Sequence, residues 1–209
     1  IDEYDVPLAK AFANGYYDQM ALLMQMMFGL ILKSNDYLEF AVLTGCLRIA
    51  KESIFTGLNN LKILSVTDVR FDACFGFTDE EVRKLLDEFE LSGAYEQVKD
   101  WYDGYRFGNA QIYCPWDVLN YCDLLLADRH AAPQDYWSNT SGNEVIRQFI
   151  EKTHNGTTKQ EIERLVAGET VVKKIKKDLT YRDLYSSMDH IWSVLFATGY
   201  LTLKERPDG

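Results

Sequence analysis

Two apolar segments that lead into polar residues, with a helical stretch between them, limit the folds open to this chain. The first is Ile1-Asp2-Glu3, where an apolar residue precedes two carboxylates, as at the end of a buried strand facing a cleft. The second is Tyr37–Leu43, a nearly continuous apolar run typical of a buried strand in a parallel sheet. Between them, Leu8–Leu32 has apolar residues at helical spacing. A helix between two such strands makes a βαβ unit, so we expect both carboxyl strand ends to lie side by side, where open α/β sheets bind ligands.

Four residues at these strand ends are candidates for nucleotide chemistry: Asp2, Glu3, Thr44 and Arg48. In a P-loop NTPase the acidic pair is the Walker B position, where the aspartate holds Mg²⁺ through its water shell and the next carboxylate orients or deprotonates the attacking water. Asp2 is thus the predicted metal residue. Thr44 and Arg48 follow the second strand and are placed to reach the γ-phosphate. The alternatives at this point are a solvated chain end for the acidic pair, and a strand-end threonine and a surface arginine for the other two.

The motif that cradles phosphates in this class, Gly-x-x-x-x-Gly-Lys-Ser/Thr, does not occur in the 209 residues. We therefore expect the chain to be the C-terminal part of an NTPase module whose first half is missing. Alone, it should neither bind ATP tightly nor hydrolyse it, because backbone amides and the P-loop lysine supply most of the grip on the phosphates. Strands that have lost their neighbours expose sheet edges, so a homodimer formed by edge pairing is also expected.

Charge and composition exclude several classes of protein. The net charge of −10 argues against a broad nucleic-acid-binding surface, which needs a basic footprint, although a single helix could still dock on nucleic acid. The four cysteines and three histidines show no metal-ligand spacing, and the cysteines are predicted to be buried reduced thiols. No apolar run reaches ~18 residues and no signal peptide is present, so we expect no membrane span and a cytoplasmic location.

The rest of the chain is predicted to be mainly α with a small β component. Thr78-Asp79-Glu80-Glu81 is a capping box that opens an amphipathic helix. Further helices are expected over 96–102, 116–126, 142–152, 159–167 and 188–198, with short strands over 61–66, 170–177 and 199–203. The helix, Gly-Tyr and strand at 188–203 resemble the closing hairpin of winged-helix modules. The predicted division is an NTPase core remnant at 1–70, a helical segment at 71–135 and a helical, winged-helix-like segment at 136–209.

Six stretches together resemble the bacterial AAA-ATPase-like family, whose members often carry a PD-(D/E)XK nuclease-like domain downstream. In this sequence they are Ile-Asp-Glu-Tyr-Asp-Val-Pro-Leu (1–8), Leu-Thr-Gly-Cys-Leu-Arg-Ile-Ala-Lys-Glu-Ser (43–53), Phe-Thr-Gly-Leu-Asn-Asn (55–60), Phe-Gly-Phe-Thr-Asp-Glu-Glu-Val (75–82), Trp-Tyr-Asp-Gly-Tyr-Arg-Phe-Gly (101–108) and Trp-Ser-Val-Leu-Phe-Ala-Thr-Gly-Tyr-Leu (192–201). They occur in the family's order and span nearly the whole chain.

The resemblance implies a P-loop ATPase core (here its remnant), then a helical lid and a winged-helix-like segment. It implies that Asp2 is the Walker B Mg²⁺ residue, Glu3 the water-activating carboxylate and Thr44 the sensor residue, with Arg48 just beyond it. Its cofactors would be ATP and Mg²⁺, in the full-length protein only. Its partners would be the missing N-terminal Walker A half and the nuclease-like domain. The motif at 102–105 matches the lid, where its aromatic residues are expected to pack rather than to catalyse.

The predicted function is ATP binding and hydrolysis coupled to conformational change in the full-length protein. The alternative is a lid plus winged helix that recognises a protein or nucleic acid without catalysis, and a third possibility is an inert helical scaffold. A standalone two-carboxylate nuclease is disfavoured because no Asp-x(n)-Glu-x-Lys strand pattern is evident.

Overall fold

The computed structural model describes residues 1–33, 35–46, 53–55, 57–58, 61–137, 156–176 and 190–204. Most of the regular structure in these residues is helical, as predicted. The helices are α1 (Val6–Ala13), α2 (Tyr17–Leu32), α3 (Asp79–Glu88), α4 (Tyr95–Tyr102), α5 (Pro115–Ala127), α6 (Gly156–Val166) and α7 (Ile191–Ala197), with 3₁₀ turns at Ser53–Phe55 and Ser92–Ala94 and strands β1 (Tyr105–Phe107) and β2 (Ala110–Ile112).

The chain forms two compact units. The first comprises Ile1–Ser65 and Thr153–Leu201, and the second comprises Val66–Lys152 and Thr202–Gly209. In the described residues, no helix is long and apolar enough to cross a membrane.

In the first unit, α1 and α2 form a helical connection that starts next to residues 1–4. Pro7 lies in the first turn of α1, where its missing N–H costs nothing. Gly15, with φ +78°, reverses the chain between the two helices. One strip of α2 is buried, and within it Phe28 stacks on Phe55 with ring centroids 5.9 Å apart. Tyr4 meets the same Phe55 ring edge-on at 5.4 Å, which fixes the position of the chain start against the helices.

The predicted buried strand at 37–43 is wrong in its regularity and its burial, although its pairing with the chain start is present. No strand is assigned within 35–46, and Tyr37 and Phe40 are 100% and 81% exposed. The Ile1 amino group nevertheless donates to the Val42 carbonyl at 2.9 Å, and the Thr44 N–H donates to the Ile1 carbonyl at 3.0 Å. These two hydrogen bonds flank residue 43 as in a parallel ladder. The segment is exposed because a parallel strand is buried only when layers cover both faces of its sheet.

Other predicted strands are also absent from the described residues. Residues 61–66, 170–176 and 199–203 form no strand, so the winged-helix-like hairpin is not seen there. Residues 170–176 instead run along the buried helix α7. The Lys176 N–H donates to the Ser193 hydroxyl at 2.9 Å, and the Lys173 ammonium lies 5.0 Å from the Trp192 ring centroid. Side-chain hydrogen bonds and a cation–π contact thus take the place of a β ladder. The helix predicted at 142–152 lies outside the described residues.

In the second unit, α3, α4 and α5 enclose the core beside a β hairpin. The Thr78 hydroxyl accepts from the Glu81 N–H at 3.3 Å and the Glu81 carboxylate accepts from the Thr78 N–H at 2.8 Å, which confirms the predicted capping box. The core side chains come from all three helices, from the connection between α3 and α4 and from the residue that follows β2: Val82, Leu86, Leu91, Tyr95, Val98, Tyr102, Tyr113, Val118, Tyr121, Cys122 and Leu125. Strands β1 and β2 pair antiparallel, with Tyr105 opposite Ile112.

Candidate functional site

Asp2 and Thr44 are in direct contact where the chain start pairs with the segment that follows α2. The Thr44 hydroxyl donates to Asp2 Oδ1. The Glu3 backbone N–H donates to the same Asp2 oxygen at 3.0 Å and lies 3.3 Å from the Thr44 hydroxyl, which accepts from it. The sequence placed these residues at neighbouring strand ends, and the structure brings them together through side-chain hydrogen bonds.

Glu3 occupies the point at which the extended chain start turns into α1. Its backbone is left-handed, with φ +50°, a conformation that costs a non-glycine residue about 1–2 kcal/mol. The Tyr4 N–H donates to the Thr44 carbonyl at 2.9 Å and the Val6 N–H donates to the Glu3 carbonyl at 3.1 Å, and these bonds hold the turn. The bend therefore leaves both Asp2 and Glu3 exposed at one edge of the unit.

Asp5 belongs to the same edge, although the sequence pattern did not indicate it as a site residue. It is 97% buried, and its Oδ1 accepts from the Cys46 N–H at 3.3 Å. Asp5 stands at the N-cap position of α1 but makes no side-chain capping bond, because its carboxylate is turned toward residues 45–46 instead. Gly45 permits this approach, since a Cβ there would lie 2.7 Å from Asp5 Oδ1 and 2.8 Å from Tyr4 Cε1. The sequence signal was an acidic residue just before a Val-Pro helix start, which normally indicates only a cap.

The electrostatics of this edge are negative. The sulfur of Cys46 is partly desolvated, which raises the pKa of its thiol, and the carboxylates of Asp5, Glu3 and Asp2 raise the pKa further. Cys46 and Cys74 are exposed and Cys114 is half-buried, so the prediction of four buried thiols is correct only for Cys122. No ion pair joins Asp2 or Glu3 to a lysine or arginine of the described residues. The carboxylates of Asp2, Glu3 and Asp5 therefore concentrate negative charge near Cys46.

The oxygen ligands of this edge could hold Mg²⁺ only together with water molecules or substrate phosphates. The described residues contain no group of three or more His, Cys, Asp and Glu side chains able to hold a metal alone. Mg²⁺ commonly keeps several waters and is held by one or two carboxylates together with substrate phosphates. Asp2, with Thr44 beside it, matches that protein share of a Mg²⁺ site. Arg48, the fourth predicted site residue, lies outside the described residues.

In the second unit, Tyr102 of the 102–105 motif has a packing role. Its ring is buried among the core aromatics, 5.6 Å from Tyr121 between centroids. Its hydroxyl donates to the Gln134 carbonyl at 3.0 Å and accepts from the Gln134 N–H at 3.1 Å. Burial raises the pKa of Tyr102 to about 12. The hydroxyl therefore stays protonated and ties residue 134 to the core.

Asp79 gathers three donors at the start of α3. It accepts from the Tyr95 hydroxyl at 2.6 Å, from the Tyr113 hydroxyl at 2.7 Å and from Arg83 Nε at 2.8 Å. These hydrogen bonds, that of Tyr95 first, hold the pKa of Asp79 well below its usual range. Burial, and then the bond to Asp79, raises the pKa of Tyr113. All partners come from the same unit, so this cluster fastens α3 to α4 and to the end of β2.

Comparison with known proteins finds similarity where the first unit carries its acidic edge. Residues 1–55 match the family described as "Predicted AAA-ATPase". The "Uncharacterized protein in vnfD 5'region" of Azotobacter chroococcum mcd 1 is 26% identical over 213 residues, which cover 97% of this chain and 36% of that protein. The chain thus spans little more than a third of that relative's length. No solved structure matches significantly. The match at 1–55 includes Asp2, Glu3 and Thr44, and it supports a relation to AAA-like ATPases.

Proposed function

We propose that the first unit supplies the metal- and water-handling edge of an AAA-like ATP site. The phosphate-binding loop of that site would lie on polypeptide N-terminal to residue 1. In the complete protein, ATP hydrolysis at this site would drive a conformational change.

One observation carries the proposal: the hydrogen bond between Thr44 and Asp2, at the end of a parallel pair that a helical connection joins. A carboxylate and a hydroxyl that meet at the end of such a pair lie where the ligand sites of open α/β sheets are built. The match of residues 1–55 to the AAA-ATPase description supports the same assignment. The short coverage of the relative agrees with a site completed by further polypeptide.

Each side chain has a distinct role in this proposal. Asp2 would hold the water shell of Mg²⁺, with the Thr44 hydroxyl keeping its carboxylate in place. Glu3 would orient the attacking water and accept its proton, and Arg48 would face the charge on the γ-phosphate. When bound, Mg²⁺ supplies the neutralisation of charge on the β- and γ-phosphates. Asp5 would position the loop at 45–46 and take no part in the chemistry.

The test is ATP turnover by the natural polypeptide, that is, the full-length protein isolated from the cells in which it is naturally expressed. We expect Mg²⁺-dependent hydrolysis that falls at least ~100-fold in Glu3→Gln while nucleotide binding persists, because the loss of one well-placed general base typically removes 10²–10⁴-fold. Asp2→Asn should raise the Mg²⁺ concentration needed for half-maximal turnover, because a carboxylate that holds the ion is lost. Glu80→Gln is the matched control, since Glu80 is an exposed carboxylate of α3 in the second unit. Hydrolysis that is absent from the natural polypeptide, or that survives Glu3→Gln unchanged, contradicts the proposal.

A further inference from the structure

Helix α2 has two apolar faces, of which only one is covered. The covered strip consists of Tyr17, Ala21, Met24, Phe28 and Leu32. At about 100° per residue, six further apolar side chains occupy roughly half of the helix circumference on the other side. Their exposed fractions lie between 39% and 79%: Leu22, Leu23, Met26, Met27, Leu30 and Ile31. Asp18 and Gln25 lie along the narrow edge between the two faces.

A helix that is apolar over most of its circumference is normally an interior helix, because water would otherwise cover a large nonpolar surface. Six neighbouring apolar side chains on one helix make a contiguous exposed patch, and such patches are typical of contact surfaces. The paired segments joined by α1 and α2 show the same deficit, since Ile1 and Val42 are each 53% exposed. Parallel pairs joined by a helix normally lie within sheets covered on both faces. The helix and the paired segments therefore both expose apolar surface that such folds normally cover.

We propose that the exposed face of α2, Leu22 to Ile31, packs against polypeptide of the same protein that lies outside residues 1–209. This inference rests on the proposed function, which assigns the phosphate-binding loop to that polypeptide. The relative from Azotobacter shows that a protein similar to this chain can carry such additional polypeptide, because the matching region is 36% of that protein.

A second copy of the chain fits this face less well. Stable interfaces between separate proteins use about 20–30 residues a side, and α2 offers six. A covalently attached segment needs less contact, because attachment raises its effective concentration. The homodimer expected from exposed strand edges becomes an alternative outcome of the test.

The rate of methionine oxidation measures directly whether the exposed face of α2 is covered. Met26 and Met27 are 60% and 40% exposed, whereas Met24, on the covered strip, is 4% exposed and serves as an internal control. The 209-residue chain and the natural polypeptide are treated with hydrogen peroxide, and sulfoxide formation is followed by peptide mass spectrometry. Sedimentation of the 209-residue chain is measured in the same buffer.

We expect Met26 and Met27 to oxidise at least ~10-fold faster than Met24 in the 209-residue chain, and to slow toward the Met24 rate in the natural polypeptide. In the natural polypeptide, Leu23→Gln should restore part of the fast oxidation. Leu119→Gln, the same change at a similarly exposed position of α5, should not.

Four results would overturn the inference. Fast oxidation of Met26 and Met27 in both polypeptides, or a natural polypeptide that consists of these residues alone, removes the covering segment. Slow oxidation in a dimeric 209-residue chain identifies a second copy as the cover, and slow oxidation in a monomer shows that the chain covers α2 itself. The readout does not depend on turnover. A natural polypeptide that protects Met26 and Met27 without hydrolysing ATP would therefore support this inference and contradict the proposed function.

Discussion

At Asp79, three donors meet one carboxylate, and these hydrogen bonds add to the apolar packing that joins α3 to the core. Asp79→Asn keeps the shape of the side chain but loses the charge and one acceptor oxygen. Because the Asp79 side chain is 45% exposed, solvent weakens the ion-pair part, and we expect a loss of about 1–2 kcal/mol in the free energy of unfolding. Urea denaturation measures this value.

Glu80→Gln is the control for that substitution. Both residues lie in the first turn of α3 and interact alike with the helix dipole, so the difference between the variants isolates the hydrogen bonds of Asp79. Equal losses in the two variants would show that the dipole alone accounts for the effect.

The same carboxylate gives the second unit a dependence on pH. Since the pKa of Asp79 is lower in the folded than in the unfolded chain, its stabilisation is fully present above the unfolded pKa of about 3.9. It is lost as the pH falls from about 4 toward the folded pKa. We therefore expect the unfolding free energy of the wild type to fall more steeply below pH 4 than that of Asp79→Asn. Parallel curves for the two proteins would rule this out. The pKa of Glu81 is also lowered, by its bonds to Thr78, and it contributes to both curves alike.

At the scale of the elements, the β hairpin depends on the glycine in its turn. Gly108 has φ +52°, and a Cβ there would lie 2.6 Å from the Asp68 carbonyl oxygen and 2.8 Å from Val69 Cα. Residues 66–72 also accept two hydrogen bonds from the turn. The Gly108 N–H donates to the Val66 carbonyl at 2.8 Å, and the Asn109 N–H donates to the Asp72 carboxylate at 2.9 Å. Residues 66–72 therefore pack closely against the turn and hold it by hydrogen bonds.

Gly108→Ala is expected to lower the free energy of unfolding by about 2–4 kcal/mol, because strain in the left-handed backbone adds to a clash with backbone atoms. Gly93→Ala is the matched change, since a Cβ at Gly93 would meet nothing within 4 Å. It should remain within about 0.5 kcal/mol of the wild type. Chemical denaturation measures the free energy of unfolding of both variants. If Gly108→Ala lowers it as little as Gly93→Ala does, the close contact of residues 66–72 with the turn does not contribute to stability.

At the scale of the whole molecule, the first unit is assembled from stretches on both sides of residues 66–152, the longer stretch of the second unit. Residues 1–65 and 153–201 must therefore find each other across the whole intervening stretch, which makes the contacts of the first unit less local than those of the helical core around α3–α5. The open face of α2 and the exposed apolar residues of the chain start belong to that first unit. The unit that contains the acidic edge thus also contains the exposed apolar surface of α2 and of the chain start.

The sequence by itself determined the local features. The capping box at Thr78, the helices α3 to α6 and the mainly helical composition follow from spacing and end signals within a few residues. It also predicted that Asp2 and Thr44 meet, because the rule for parallel pairs joined by a helix fixes which ends are neighbours.

The tertiary structure alone decided which surfaces are covered and where long-range polar groups meet. Tyr37–Leu43 reads as a buried strand because its residues are apolar, yet burial depends on layers that the segment does not encode. Asp5 reads as a helix cap, and only the approach of Gly45 turns its carboxylate away. The two tyrosine partners of Asp79 are 16 and 34 residues distant, beyond any local pattern. Local preferences act over a few residues, whereas burial and hydrogen-bond choice depend on which distant segments the packed chain brings together.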